Sequence, residues 1–579
     1  MTFNRFYQSE LLYLRELGRE FAATNPALAS LFAERGADPD VDRLLEGFAF
    51  LTARIRERLD DAVPEVIEQL CQLALPQYMR SMPAVSVVEF SPTIRALKGV
   101  HKIPLHAELG ARAVQETVCT FRTTRELALL PVSIANVQLD AGIESAPRIK
   151  LSLTTTEIGA TVVPQHGSLR FFLHGGLGQT SLVYLWLARH LRRAICVVGD
   201  QTIELGPDCV RLTSVGEGGS AFPWPEFAPE DMKLILEYYT QPSLLLFFDV
   251  VGLEKLAGKL GTSFDLVFQF DRPPKLPERL EREAIRLHCV PVVNLFETTA
   301  EPIRRELGAN EYLVRAAGMS PRHADVFEVL KVTGIRPKTA PTEYPPYHHF
   351  ATSAKPVSRP YHWVRRAISP IDEGLDTYLS VGQPRDQAPQ HPEETLSIEL
   401  VCTNRLLPSE LRVGDIHVAT ARSPTVAPFK NIVPVSRPVR PAIGTELAWR
   451  FISHVAVNQR SLSDPQALRA LLGLYNFAEG VDVQLARANR LRVEAIRSVQ
   501  MVAAKRLLDH IPTRGVRSTL EIDETAFATL GDLHLFGCTL DAFFASQAPV
   551  NTFHELVVVA HPSGATLAWT PRSGIEPVY

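Results

Sequence analysis

The stretch P64-EVIEQLCQLALPQYMRSMPAVSVVEFS-P92 changes character within thirty residues. Before it, apolar residues recur at the three-to-four spacing of an amphipathic helix. After it, in Ala84–Phe90, they alternate as in a half-buried strand. Pro64, Pro76 and Pro83 punctuate the change. The spacing predicts that Pro76 ends a helix, that Pro83 forces an extended approach, and that Val85–Phe90 is the first strand.

Upstream, Phe3, Phe6, Tyr7, Leu11, Leu14, Leu17 and Phe21 form one apolar stripe on a first helix, and Asn25-Pro26 closes it. A second helix opens with Asp38 as N-cap and Pro39 at the next position, and Val41, Leu44, Leu45, Phe48, Leu51, Ile55 and Leu59 make its stripe. A third follows Pro64 with Val66, Ile67, Leu70, Leu73 and Leu75. These stripes fit helices packed on one another or on the body. They equally fit a bundle made with another chain, because four aromatic residues on one face are a large apolar surface to leave wet. The first eighty residues carry arginine and no lysine. That suits protein contacts, and GC-rich codon usage accounts for it as well.

Downstream, alternation predicts strands at "RIKLSLT" from Arg148, "QTIEL" from Gln201 and "ETLSIEL" from Glu394. Helices are predicted over Thr180–Leu191, Pro229–Pro242 and after the Asp464-Pro465 cap. The polar, proline-rich segment 381–394 reads as a linker. The expected fold class is α+β: a helical arm over 1–83, a multi-domain β-rich body over 84–380, and a C-terminal α+β domain over 395–579, with helices interspersed. A length of 579 residues fits about three or four domains.

Composition excludes several classes. Net charge is −4 and no basic block stands out, so nucleic acid is not expected as a partner. The seven cysteines form no C-x-x-C pair and most sit in apolar runs, which predicts buried free thiols in a reducing compartment. Acids within the first twenty residues leave no signal core, and the most apolar run, Ser243–Leu253, is too short to span a bilayer. The expected location is the cytoplasm, without membrane insertion.

Motifs for chemistry fail one by one. "HGGLGQTS" (His174–Ser181) lies between a strand and a helix, as a phosphate loop does, but Gln179 stands where a Walker lysine is needed and Ser181 where a third glycine is needed. It reads as a tight turn. "YHHF" (Tyr347–Phe350) with His362 lacks an acid or thiolate at ligand spacing, and "HELVV" lacks its second histidine. No G-x-S-x-G elbow occurs. No catalytic residue, cofactor or metal is expected; an enzyme with an unrecognised site is the alternative from another class.

"FYQSELLYLRELGREFA", "ADPDVDRLLEGFAFLTARIRERLDD" and "LPQYMRSMPAVSVVEF" resemble the start of the TssF family, also called ImpG or VasA, baseplate subunits of bacterial type VI secretion systems. "LILEYYTQPSLLLFF", "HCVPVVNLFETTAEPI", "VCTNRLLPSEL", "ELAWRFISHVAVNQRSL", "LHLFGCTLDAFFASQAPVNTFHELVV" and "WTPRSG" continue the resemblance in order. Leu406 departs from the acid that usually follows that arginine, and Phe121–Pro131 lacks the family's aromatic residues. The resemblance implies a non-enzymatic wedge protein related to those of contractile phage tails; a phage wedge is itself the nearer alternative. It implies two copies with one TssG, together with TssK, TssE, the VgrG spike hub and the sheath, in a cytoplasmic baseplate docked to the inner-membrane complex. It also implies that Phe6, Tyr7, Leu11, Leu14, Leu17 and Phe21 form the seam of a three-helix core bundle.

Overall fold

The computed structural model describes residues 80–140, 146–212, 220–224, 230–271, 280–306, 309, 311–347, 360–369, 374–382, 394–441, 450, 461–508 and 510–574. Before residue 80 it describes positions 7, 11, 14, 43, 44, 46–52, 71, 75 and 79. The chain forms two compact units, Met1–Met79 with Ala442–Ser453, and Arg80–Pro441 with His454–Tyr579. The first unit thus takes in a segment that the sequence reading had assigned to the C-terminal domain.

The second unit is a set of mostly antiparallel sheets with buried helices between them, as the α+β reading expects; Ile511–Asp523 and Thr552–His561 pair in parallel. The alternation in Val85–Phe90 produces an inner strand. It pairs antiparallel with Cys289–Val293 on one side (Val85↔Val293 to Glu89↔Cys289) and with Phe429–Asn431 on the other. Thr117–Thr123 and Glu108–Val114 complete that five-stranded sheet. Val88, Phe90, Phe121, Val290 and Val292 face its core. Arg148–Thr155 and Gln201–Glu204 take their expected places in a second sheet, with Leu191–Val198, Ser263–Phe270 and Val132–Asp140. Ser168–Leu173 lies in a third, between Phe247–Val251 and Ile285–Leu287.

The expected division at 381–394 needs correction. Thr395–Thr403 pairs along its whole length with Asp325–Ile335 and also with Phe296–Thr299, so residues on both sides of the supposed linker build one sheet. Residues 383–393 lie outside the described part. Glu394, placed in the linker for its polarity, is fully buried. Arg305 Nη1 and Arg336 Nε approach its carboxylate at 3.1 and 3.2 Å, and the Tyr344 hydroxyl donates to it at 2.8 Å. Composition marks solvated segments on average, but a carboxylate met by two guanidinium groups can be taken out of water.

Three helices interlock below the C-terminal sheet. The helix expected at Thr180–Leu191 spans Leu177–Arg189, because Gly176 serves as its N-cap and Leu191 already belongs to a strand. Asp464 caps Pro465–Gly473 by accepting from Gln466 N and Ala467 N, as predicted. Leu530–Ser546 is buried over nearly its whole circumference and packs against Leu177–Arg189 and Glu230–Thr240. The crossing is close. A Cβ on Gly531 would sit 2.3 Å from the Ser181 backbone, so only glycine fits there. All seven cysteines are buried and free, as the apolar runs around them predict.

Candidate partner interface

In the helical arm, the described residues 43, 44 and 46–52 are helical. Leu44, Phe48 and Leu51, spaced i, i+4 and i+7, lie on one helical face. They are 73, 56 and 61% exposed, whereas Ala49, on the opposite side of the helix, is fully buried. Phe50 is exposed as well, so the described part of this helix shows apolar side chains on more than one side. Covering each of these side chains is worth roughly 1.5–3 kcal/mol. Tyr7, Leu11 and Leu14 have the same spacing, are helical, and are half-buried. Phe6, Leu17 and Phe21 lie outside the described residues.

The body takes hold of the chain at Arg80. Its guanidinium donates to Pro223 O and to Glu328 Oε1, both at 2.7 Å, and lies over the Phe327 ring. Met82 exchanges both backbone hydrogen bonds with Val439 at 2.8 Å. Val85 N donates to Ser436 Oγ, and Ser86 Oγ donates to Val433 O. Pro83 is buried between these contacts and the strand starts at Val85, as predicted. Pro76 lies outside the described residues. From Arg80 onward the chain is fastened within the body on both sides.

Groups that resemble catalytic ones serve as structure. His174–Ser181 forms a strand-to-helix turn with Gly175 at φ 135, and the Thr180 hydroxyl is turned back onto Gly176 O. Cys538 and His534 meet at 3.8 Å, with Asp541 one helical turn further on. Burial pushes the Cys538 thiol up to about 11. Burial, with Arg189 and His190 nearby, pushes His534 down to about 3. Its Nε2 accepts from Arg189 Nε at 3.1 Å, so it has no free lone pair with which to take a proton. This is a thiol beside a neutral imidazole, the inverse of an activated pair.

A cavity of about 250 Å³ is lined by Tyr239, Gln241, Arg437, Tyr475 and Asp482 among others. Asp482 is engaged as the N-cap of Val483–Glu494, and Arg437 donates to Val481 O. His362 is buried, with Nδ1 against Tyr344 O. Among the described residues no group of three metal-ligating side chains converges, and no helix is long and apolar enough to cross a membrane.

The comparisons decide the family. The model for "Type VI secretion system, TssF" matches residues 1–576. The chain belongs to the TssF family. Among curated proteins it is similar to type VI secretion system component TssF1 of Pseudomonas aeruginosa, 26% identical over 622 aligned positions that cover 99% of this chain and 98% of that protein. Its fold is similar to a chain in the cryo-electron microscopy structure of a type VI secretion system TssK-TssF-TssG baseplate subcomplex. There the TM-score is 0.78 at 27% identity, with 92% of this chain and 98% of that one covered. A second likeness is to a chain of the baseplate complex from the type VI secretion system, with TM-score 0.61 at 25% identity and both chains fully covered.

Within this TssF family member, the sequence reading concentrated on the first helix. The exposed face of the second helix was visible in its pattern as an apolar stripe. The pattern could not say which way the stripe faces, because core and interface residues are chemically alike.

Proposed function

We propose that this chain is a structural wedge subunit of a type VI secretion baseplate. It assembles with TssG, two copies to one, and with TssK and TssE around the VgrG spike hub to seed the contractile sheath. The observation that carries this reading is the outward face Leu44–Phe48–Leu51, exposed on a helix whose Ala49 is buried. Together with Phe6, Tyr7, Leu11, Leu14, Leu17 and Phe21 it supplies apolar surface for a core bundle shared by two arms and one TssG chain. The body beyond Arg80 passes force through its own packed sheets. Obligate interfaces of this kind bury roughly 2,000–5,000 Å² and are core-like in composition.

On this proposal the arm ends at about residue 79, short of the expected 83 because Arg80 and Met82 are bonded into the body, and the remainder is a body related in design to the wedge proteins of contractile phage tails. The protein works without catalysis, in the cytoplasm, and reaches the membrane complex only through the rest of the baseplate. A TssF relative present with TssK and TssG in one subcomplex supports the partner assignment. The test is co-expression with TssG of the same source. A stable complex of two copies to one supports the proposal; failure of the two proteins to co-purify overturns it.

A further inference from the structure

The C-terminal sheet carries a long hairpin. Ile496–Leu508 and Ile511–Asp523 pair antiparallel from Ile496↔Ile522 out to Leu508↔Ile511. The third strand, Thr552–His561, joins only from Arg514 inward, and Ile496–Leu508 is the edge of the sheet. Past Arg514 the hairpin therefore stands as two strands, an arrangement that is marginal in water without something to pack on.

One face of the hairpin is core at the root. Val499, Ser518 and Leu520 are buried there, and His554 of the third strand bonds Ser518 Oγ at 2.8 Å while stacking on Phe544 of the Leu530–Ser546 helix. The same face runs on beyond the cover of that helix. The register puts Ala503 opposite Val516, Lys505 opposite Arg514, and Leu507 opposite Pro512. Val516 and Leu507 are exposed, Leu507 by 68%.

Lys505 and Arg514 are thus like charges directly opposite on one face, a pairing that weakens a sheet. Among the described residues no carboxylate ion-pairs with either. The other face is different. Arg506 and Arg517 share Glu555, each at 2.9 Å. The hairpin pairs both cations of one face with a carboxylate and leaves two without one on the other, between exposed apolar side chains.

We infer that this face is a docking surface for an acidic protein partner, whose carboxylates sit between Lys505 and Arg514 while its apolar side chains cover Val516 and Leu507. The surplus positive charge selects the occupant: a partner with carboxylates at its centre relieves the repulsion, and a neutral or basic one does not. A lysine placed only to keep an edge strand from aggregating needs no opposing arginine and no apolar flank. The inference rests on the assembly reading above.

The test uses the full chain, free and assembled with purified TssG–TssK of the same source. Amide exchange over 502–516 is expected to slow at least about tenfold on assembly. Lys505→Glu with Arg514→Glu is expected to weaken assembly by about tenfold or more at low salt, with the difference shrinking as salt is raised. The free variant should melt with the wild type, since both side chains are exposed. Equal exchange in free and assembled protein overturns the inference and leaves the assembly reading intact. Unchanged affinity of the charge-reversed variant overturns it too. Protection that arises from raising the concentration of this chain alone assigns the surface to a second copy and overturns the acidic-partner assignment. If the wild type does not assemble at all, both readings fall.

Discussion

Asp532 and Arg492 form a buried ion pair at 3.0 Å, and the Tyr238 hydroxyl donates to the other carboxylate oxygen at 2.9 Å. One carboxylate thereby ties Leu530–Ser546 to Val483–Glu494 and Glu230–Thr240. Removing it leaves a guanidinium in the interior without its counter-charge, which destabilises by about 3–5 kcal/mol. Asp532→Ala should therefore lower the urea midpoint sharply. Asp532→Leu combined with Arg492→Met should recover part of the loss, since replacing both partners removes the unpaired charge.

Gly531→Ala tests the helix crossing. A methyl group 2.3 Å from the Ser181 backbone forces the two helices apart, because neither neighbour is a flexible side chain. Overpacking of this kind costs about 1–3 kcal/mol. The variant should melt lower, with faster amide exchange in Leu177–Arg189. A variant that melts with the wild type would show that the helices do not meet there.

Acid should destabilise the body through three buried histidines. Burial pushes His288 and His554 down to about 4, and burial with Arg189 and His190 pushes His534 to about 3. Their folded values lie below the unfolded one. Each therefore contributes stability above about pH 6.5 that is lost as pH falls toward its folded value. Asp541 runs the other way: burial raises it to about 6, so its contribution is present in acid and lost as pH rises through that value. Among these four groups the three histidines outweigh the one carboxylate, so their summed contribution falls as pH falls from about 6.5 toward 4. The melting temperature should fall steadily from pH 7 to 5, and His554→Gln should flatten the slope by about one proton.

Glu394→Ala tests the corrected domain boundary. It leaves Arg305 and Arg336 facing each other without the carboxylate between them. Exchange should accelerate in Asp325–Ile335 and Thr395–Thr403 while the C-terminal sheet is unaffected. A linker residue would produce no such change.

Local pattern carried the elements better than their grouping. Val85–Phe90, Arg148–Thr155 and the Asp464 cap were readable because strand alternation and capping chemistry act within a few residues. The pairing of Thr395–Thr403 with Asp325–Ile335 was not, because strand partners far apart in sequence share no local signal. Glu394 misled for a related reason: its two arginines, Arg305 and Arg336, follow the ends of strands 89 and 58 residues away in sequence. At the interface, the stripe through Leu44, Phe48 and Leu51 was readable, but its exposure was not. The Lys505–Arg514 opposition depends on hairpin register and could be seen only once the register was known.

The most direct measurement is the mass of the complex formed on co-expression with TssG, for wild type, Leu44→Asp with Phe48→Asp, and Leu14→Asp with Phe21→Asp. The account predicts two copies of this chain per TssG for the wild type. It predicts loss of the complex for both double variants, with the body over Arg80–Pro441 and His454–Tyr579 still folded and melting as before. Double variants that assemble with unchanged mass and affinity would contradict the assignment of the arm as the assembly interface.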